Sequence, residues 1–283
     1  MRLNKFFLLC IYDKECYLCH AMTIKRKTII RVAGIAVLLM LIAGTAKWIG
    51  GKDAPLRDFP EIQSSGVLNV VTEYNSVSYY VSGDTVAGIQ YSLCRYIEKR
   101  SGLQVHITLE NNWENCLMQL EDNTCDIIAM NTPVTNESKQ MLAFTVPIAQ
   151  NKQVLVQRKP GENDSLPLIR NQMDLACKTV WAPARSPGIL RLRNLSEEIA
   201  EPIYIQEIEN YTQEQIIYMV AYGEADYAVA DKEIALKNVR LFPNLDVDTD
   251  ISFTQLQAWA VRKNAPVLLD SLNLWIADYQ GLK

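Results

Sequence analysis

From residue 67 onward the chain alternates short apolar runs with amphipathic ones, and that order restricts it to parallel sheets flanked by helices. VLNVVTEY (67–74) reads as a buried strand. IQYSLCRYIEKRSG (89–102) reads as a helix with Ile89, Leu93, Tyr96 and Ile97 on one face, stopped by Gly102. Next come a strand LQVHITLE (103–110), a helix around NWENCLMQLED, and a strand CDIIAM (125–130). The plan then repeats: strand KQVLVQRK (152–159), strand KTVWAPA (178–184), helix GILRLRNLSEEIA, strand PIYIQEI (202–208), helix TQEQIIYMVAYGEA and strand DYAVAD (226–231). ISFTQLQAWAVRK (251–263) and a last amphipathic helix, VLLDSLNLWIADYQ, are left over for the first unit. The expected fold is therefore α/β, in two similar lobes. Residues 61–150 with 252–283 form lobe 1 and residues 151–251 form lobe 2, with a ligand cleft between them at the carboxyl ends of the strands.

Charge is distributed unevenly along this plan. Residues 1–52 carry nine Lys/Arg against two Asp/Glu, and the remainder carries nineteen against thirty. An acidic body does not track phosphates, which excludes a nucleic-acid partner. In the basic head, KRKTIIR (25–31) precedes the apolar run VAGIAVLLMLIAGTA (32–46), the pattern of a secretory signal or, taken as residues 29–49, of a single membrane anchor. Either reading exports the body to a periplasmic or extracytoplasmic compartment, and the anchor would tie it to the inner membrane. Residues 53–60 read as a polar tether. Cys16 to His20 spells C-x-x-C-H, but it lies before the apolar run rather than beyond it, so it is not read as a haem site. The stretch 1–21 stands ahead of a complete signal that could begin at Met22. No other Cys or His spacing suits a metal, and no cofactor is expected. A Cys116–Cys125 bridge is conceivable in an oxidising compartment.

Taken in order, VLNVVTEYNSVSYYVSGDTVAGIQYSLCRYIEKRSGLQV, LEDNTCDIIAMNTPVTNESKQMLAFTVPI, YGEADYAVAD and QAWAVRKNAPVLLDSLNLWI resemble the type II periplasmic solute-binding proteins of the amino-acid-binding kind. In particular they are similar to the binding-protein-like domain of membrane-bound lytic murein transglycosylase F. The resemblance covers residues 66–280. It implies a two-lobed periplasmic binding protein type II fold and a small-molecule ligand in the cleft. It also implies that the loop after CDIIAM, with Asn131, Thr132, Thr135 and Ser138, holds the ligand's carboxylate. The residues agree in part: Thr135 suits an N-cap, and a helix from Asn136 would aim its positive end at an anion. The family pattern there is T-x-x-R, and Ser138 replaces the Arg while Lys139 points elsewhere. Since a charged hydrogen bond is worth roughly 1.5–3 kcal/mol, free α-amino acids are expected to bind about tenfold to a hundredfold less tightly than with the Arg.

The resemblance also implies that Asp231 meets a ligand ammonium, that Ser186 belongs to a helix-start loop in lobe 2, and that Tyr74, Asn75 and Tyr79 supply a platform after the first strand. Arg185 could supply the cation that Ser138 does not, although a solvated surface charge is its plainer reading. His106 alternates within a strand and reads as structural. Three functions follow. The first is a non-enzymatic receptor for a small polar ligand such as an amino acid or short peptide, serving an ABC-type membrane permease. The second is a regulatory or accessory module of peptidoglycan turnover, partnered with a cell-wall enzyme and binding a muropeptide-like ligand. The chain stops at Lys283, short of a transglycosylase catalytic domain, so lytic activity is not expected. The third, a dehydratase on the same fold, would need acid and base groups in the cleft and has only Asp231 and Glu73 to draw on.

Overall fold

The computed structural model describes residues 57–161 and 167–282. The signal or anchor segment, the cysteines of the head and the alternative starts lie outside the described residues. Among the described residues no helix is long and apolar enough to cross a membrane.

Two sheets carry the fold. In the first, β1 (Val67–Thr72) lies between β4 (Gln104–Leu109) and β5 (Ile127–Pro133), parallel to both. The late strand β13 (Gln255–Arg262) adds antiparallel to β5 and carries β6 (Leu142–Phe144) and β7 (Ala149–Asn151) on its far edge. In the second, β9 (Thr179–Pro183) lies parallel between β10 (Tyr204–Ile208) and β11 (Tyr227–Asp231), while β8 (Gln153–Arg158) runs antiparallel to β11 and to β12 (Leu245–Asp250). Strands buried on both faces read as continuous apolar runs, as β5 and β11 do. A small hairpin, β2 (Tyr80–Ser82) with β3 (Thr85–Ala87), projects after β1. It ends at Gly88, where φ is +128° and a Cβ would stand 2.2 Å from the Ser78 carbonyl oxygen, so only glycine fits.

Helices cover both faces of each sheet. On the first, α1 (Phe59–Ser65), α2 (Ile89–Ser101) and α8 (Pro266–Gly281) enclose a core centred on the fully buried Trp259, and α3 (Trp113–Glu121) covers the other face over Val71, Ile128 and Ala260. On the second, α6 (Gln213–Tyr222) and α7 (Lys232–Val239) cover one face and α5 (Pro187–Ile199) the other. A single turn of helix, α4 (Ser138–Met141), precedes β6.

Residues 57–60, expected as the end of a tether, are part of the fold. Asp58 caps α1 with a capping box completed by Glu61, and its carboxylate also accepts from the Val267 and Leu268 N–H groups at the start of α8. Arg57 forks onto Asp126 at 2.7 and 3.1 Å. Asp126 is fully buried, and it also accepts from the Asn69 N–H and from Arg262, the last residue of β13. Arg262 in turn donates to the carbonyls of Leu120, Cys125 and Arg57. One carboxylate thus joins the entry to α1, the starts of β1 and β5, and the end of β13.

The chain passes between the sheets twice, and the two passages are bonded side by side. The N–H groups of Ile251 and Ser252 donate to the Gln153 carbonyl, the Gln153 N–H donates to Ser252 Oγ, and Lys152 pairs with Asp250 at 2.5 Å.

Cys116 and Cys125 are both buried and free, with no bridge between them. Asp126→Ala is expected to destabilise the protein by about 3–5 kcal/mol, because it strands Arg262 in the interior without its counter-charge. Urea denaturation of variant and parent would measure the difference, and a loss below about 1 kcal/mol would contradict the assignment.

Candidate functional site

The parallel strands of both sheets end at one cleft that is open to solvent. The segments after β1, β4 and β5 form one wall, and those after β9, β10 and β11 form the other, with Gln153 of the crossing segment between them. Four buried polar atoms on these walls have no hydrogen-bond partner in the protein: Asn75 Nδ2, Thr132 Oγ1, Gln153 Oε1 and Ser186 Oγ. Buried polar groups are nearly always paired, so such a group of orphans facing one cavity marks a place built for a polar ligand.

The electrostatics are one-sided. Glu73, one residue past β1, accepts from Ser78 Oγ at 2.9 Å. Burial pushes its carboxyl above the ordinary range, the hydrogen bond from Ser78 and the nearby Asn75 side-chain amide oppose that, and the charge of Glu214 adds to it. Asp231, at the end of β11, is pushed up to about 7, first by burial and then by the charge of Glu73, against the hydrogen bond from Gln213 and with a further contribution from Glu233. The charges acting on both groups are thus other carboxylates.

The sequence-derived candidates divide on inspection. Tyr74, Asn75, Asn131, Thr132, Arg185, Ser186 and Asp231 all line the cleft. Asn75 has a structural task as well, since its Oδ1 accepts from the N–H groups of Val77 and Ser78 and shapes the turn after β1. Asn131 is fixed by a relay from the core, in which Trp259 Nε1 donates to Gln90 Oε1 at 2.6 Å and Gln90 Nε2 donates to Asn131 Oδ1 at 2.8 Å. Ser186 caps the start of α5 in backbone terms but makes no side-chain cap bond, which leaves its hydroxyl for the cleft. Tyr79 is a correction: it packs edge-on against Tyr91, ring centroids 5.6 Å apart, and does not line the cleft. His106 is exposed on the edge strand β4, as a structural reading allows.

The loop after β5 also departs from expectation. Thr135 Oγ1 accepts from the Ser138 N–H at 3.1 Å, and Ser138 Oγ accepts from the Thr135 N–H at 3.0 Å, so the two side chains close the turn on each other. The helix that follows starts at Ser138 rather than Asn136 and is one turn long, and the Thr135 and Ser138 N–H groups are bonded within the turn. Glu137 sits in the same turn, its carboxyl held below the ordinary range by its own backbone N–H and then by the Thr135 hydroxyl. Nor does Arg185 substitute for the missing Arg. It has left-handed backbone at φ +59°, and its guanidinium meets Glu114 at 3.3 Å and Glu209 at 3.5 Å.

Sequence reasoning missed Trp113, Gln153 and Gln213 as cleft residues, and gave Glu73 only a marginal place. Glu73 and Gln153 do stand at strand ends, which is a usable signal; nothing local distinguishes Trp113. Among the described residues no group of His, Cys, Asp and Glu could hold a metal ion.

Two contacts bridge the walls at the Glu73 end. The Ser76 N–H donates to Glu214 Oε1 at 3.0 Å and Lys237 Nζ donates to the Ser76 carbonyl, while Val77 packs into the apolar core beneath α6 and α7.

Residues 68–281 match the family described as bacterial extracellular solute-binding proteins, family 3. Among curated proteins, the membrane-bound lytic murein transglycosylase F of Desulfosudis oleivorans is 28% identical over 250 residues, covering 88% of this chain and 53% of that protein. The protein of the same name from Mannheimia succiniciproducens is 27% identical over 252 residues, covering 86% and 50%. The chain therefore spans about half the length of these curated relatives. Among solved structures, holo ArgBP from T. maritima superposes with a TM-score of 0.67 at 23% identity, covering 78% of this chain and 94% of that one. The amino acid ABC transporter substrate-binding protein AbpA from Streptococcus pneumoniae, bound to L-arginine, gives 0.67 at 18% identity, covering 79% and 93%. At these identities the likeness carries the fold, which is two-lobed and of the type II periplasmic binding kind.

The acid pair has a measurable signature. Because Asp231 titrates near 7 when folded and near 3.8 when free, the folded protein holds more protons than the unfolded chain between those values. Ligand-free stability is therefore expected to rise as pH is lowered from 8 to about 5. It should fall only in stronger acid, where carboxylates held low, such as Glu198 under its hydrogen bond from Arg191, take up protons. Melting curves across this range should show the rise in the parent and a much flatter profile in Asp231→Asn.

Proposed function

The chain belongs to the family 3 bacterial extracellular solute-binding proteins, and on that premise we propose that it is a non-catalytic receptor for a small polar ligand bearing an ammonium or guanidinium group. The observation that carries this reading is the pair Glu73 and Asp231, two half-buried carboxylates on the cleft whose charged neighbours are other carboxylates. Left alone, such a pair opposes its own ionisation; a ligand cation between them would relieve that repulsion and lower both carboxyls toward their ordinary range. The orphaned atoms of Asn75, Thr132, Gln153 and Ser186 supply the further donors and acceptors that fix a ligand's orientation. Lobe 1 (61–150 with 252–283) and lobe 2 (151–251) would close on the ligand by bending at the paired crossing segments, as hinge-bending receptors do.

Two partners suit such a receptor. A membrane permease of the ABC type is one. A cell-wall enzyme is the other, and it is the reading favoured by the relatives, whose printed names are those of a murein transglycosylase and about half of whose length this chain matches. In either case export through the basic and apolar head is part of the proposal, as either a cleaved signal or an anchor at residues 29–49.

Calorimetry with L-arginine, L-lysine and L-glutamate would test the ligand class. Arginine or lysine should bind and glutamate should not. Asp231→Asn and Glu73→Gln should each weaken the cation by about tenfold or more, the size of one charged hydrogen bond. Tight binding of glutamate, or cation binding indifferent to both substitutions, would sink the proposal.

A further inference from the structure

The cleft does not end at the loop after β5. A second cavity joins it through a shared wall that includes Trp113, Thr132, Gln153 and Ser186, and runs on past Thr135 and Ser138 between Met141 on one side and Leu190 on the other. Neither Glu73 nor Asp231 reaches this extension. Met141 is 61% exposed and Leu190 47%, so both present apolar surface to the groove rather than to a core.

Three observations say what could lie there. First, three of the four orphaned polar atoms, Thr132 Oγ1, Gln153 Oε1 and Ser186 Oγ, stand on the shared wall. The amide oxygen of Gln153 is an acceptor and the two hydroxyls can donate, which is the complement of a peptide group's N–H and C=O. Second, this stretch offers no free positive charge to a terminal carboxylate. Arg185 is held by Glu114 and Glu209, and Arg191 by Glu198 and the Ile251 carbonyl. The turn N–H groups of Thr135 and Ser138 are bonded within the turn, and Glu137 adds a carboxylate to the groove itself. A free amino acid would therefore find no unpaired cation for its carboxylate there, only neutral donors such as the hydroxyls of Thr132 and Ser186. Third, beyond the shared wall the surface turns apolar, at Met141 and Leu190, as would suit a side chain further along a ligand.

Resting on the receptor reading above, we propose that the ligand is a short peptide rather than a free amino acid: its cationic first residue lies at Glu73 and Asp231, its first peptide group crosses the wall of Thr132, Gln153 and Ser186, and its second residue lies in the groove between Met141 and Leu190. The small side chain of Ser138 is what leaves the passage open.

The test uses the purified protein and three probes that share one cationic head: L-arginine, L-argininamide and arginyl-leucinamide. Calorimetry should give affinities rising in that order, with arginyl-leucinamide about tenfold or more above argininamide, the size expected for burying most of one leucine side chain. Met141→Asp and Leu190→Asp, both at exposed positions that do not endanger the fold, should each reduce that advantage to about threefold or less. If arginine binds as tightly as or more tightly than the dipeptide amide, or if neither substitution changes the ratio, the peptide proposal is overturned while the cation receptor stands. If none of the three probes binds, both readings fall together.

Discussion

The Asp126 carboxylate is the point on which the first sheet, and through it the cleft, depends. It is buried with two guanidinium groups and a backbone N–H around it, and each of these comes from a different stretch of chain: Arg57 before α1, Asn69 in β1 and Arg262 at the end of β13. β13 is laid down almost last in sequence yet stands beside β5, the strand that delivers Asn131 and Thr132 to the cleft. An ion cluster in this position contributes little net stability over apolar packing, because desolvation offsets much of the attraction. Its value is geometric. Arg262 can satisfy its bonds to Asp126, Leu120, Cys125 and Arg57 only with β13 in one register, and that register sets where the crossing segment and Gln153 lie.

The cleft applies the opposite rule. At Asp126 the charges are matched and buried, whereas at Glu73 and Asp231 they are left unmatched in a partly enclosed space. Natural proteins hold such unfavourable arrangements where a ligand completes them, because the energy withheld from the empty fold becomes available on binding. The surrounding scaffold is stiff enough to maintain it. Trp259, Gln90 and Asn131 form a hydrogen-bonded column from the core to the cleft wall, and Asn75 spends its amide oxygen on its own turn while keeping Nδ2 for the cavity.

Much of the fold is legible in the sequence because the central strands are buried on both faces. IIAM and YAVA are continuous apolar runs and VLNVV is broken only at Asn69, and the residues that follow them, Glu73, Asn131 and Asp231, can be located by counting. Less legible are elements whose polar residues are buried in pairs. LDVDTD, with three aspartates in six residues, is not picked out as a strand by its sequence, although Arg170 grips Asp246 from a distant segment, and Arg57 reads as tether until Asp126 is found facing it. The turn at Thr135 shows another limit. A threonine three residues before a serine looks like a cap with free donors, and only the geometry reveals that the serine hydroxyl turns back to consume one of them. Tyr79 fails for the same kind of reason, since an aromatic residue after a strand has two faces to choose from and the nearby Tyr91 decides between them.

The contacts of Ser76 and Val77 with the opposite wall carry a kinetic meaning. Val77 comes from the segment after β1 but rests in the apolar core under α6 and α7, and Glu214 and Lys237 hold the Ser76 backbone on either side of it. Separating the walls must pull Val77 into water and break both hydrogen bonds before any ligand has entered. A ligand too large for the open mouth of the cleft would enter and leave only as often as the walls part. Changes at Val77 or Lys237 would then alter how fast the site fills and empties while leaving the chemistry at Glu73 and Asp231 as it was.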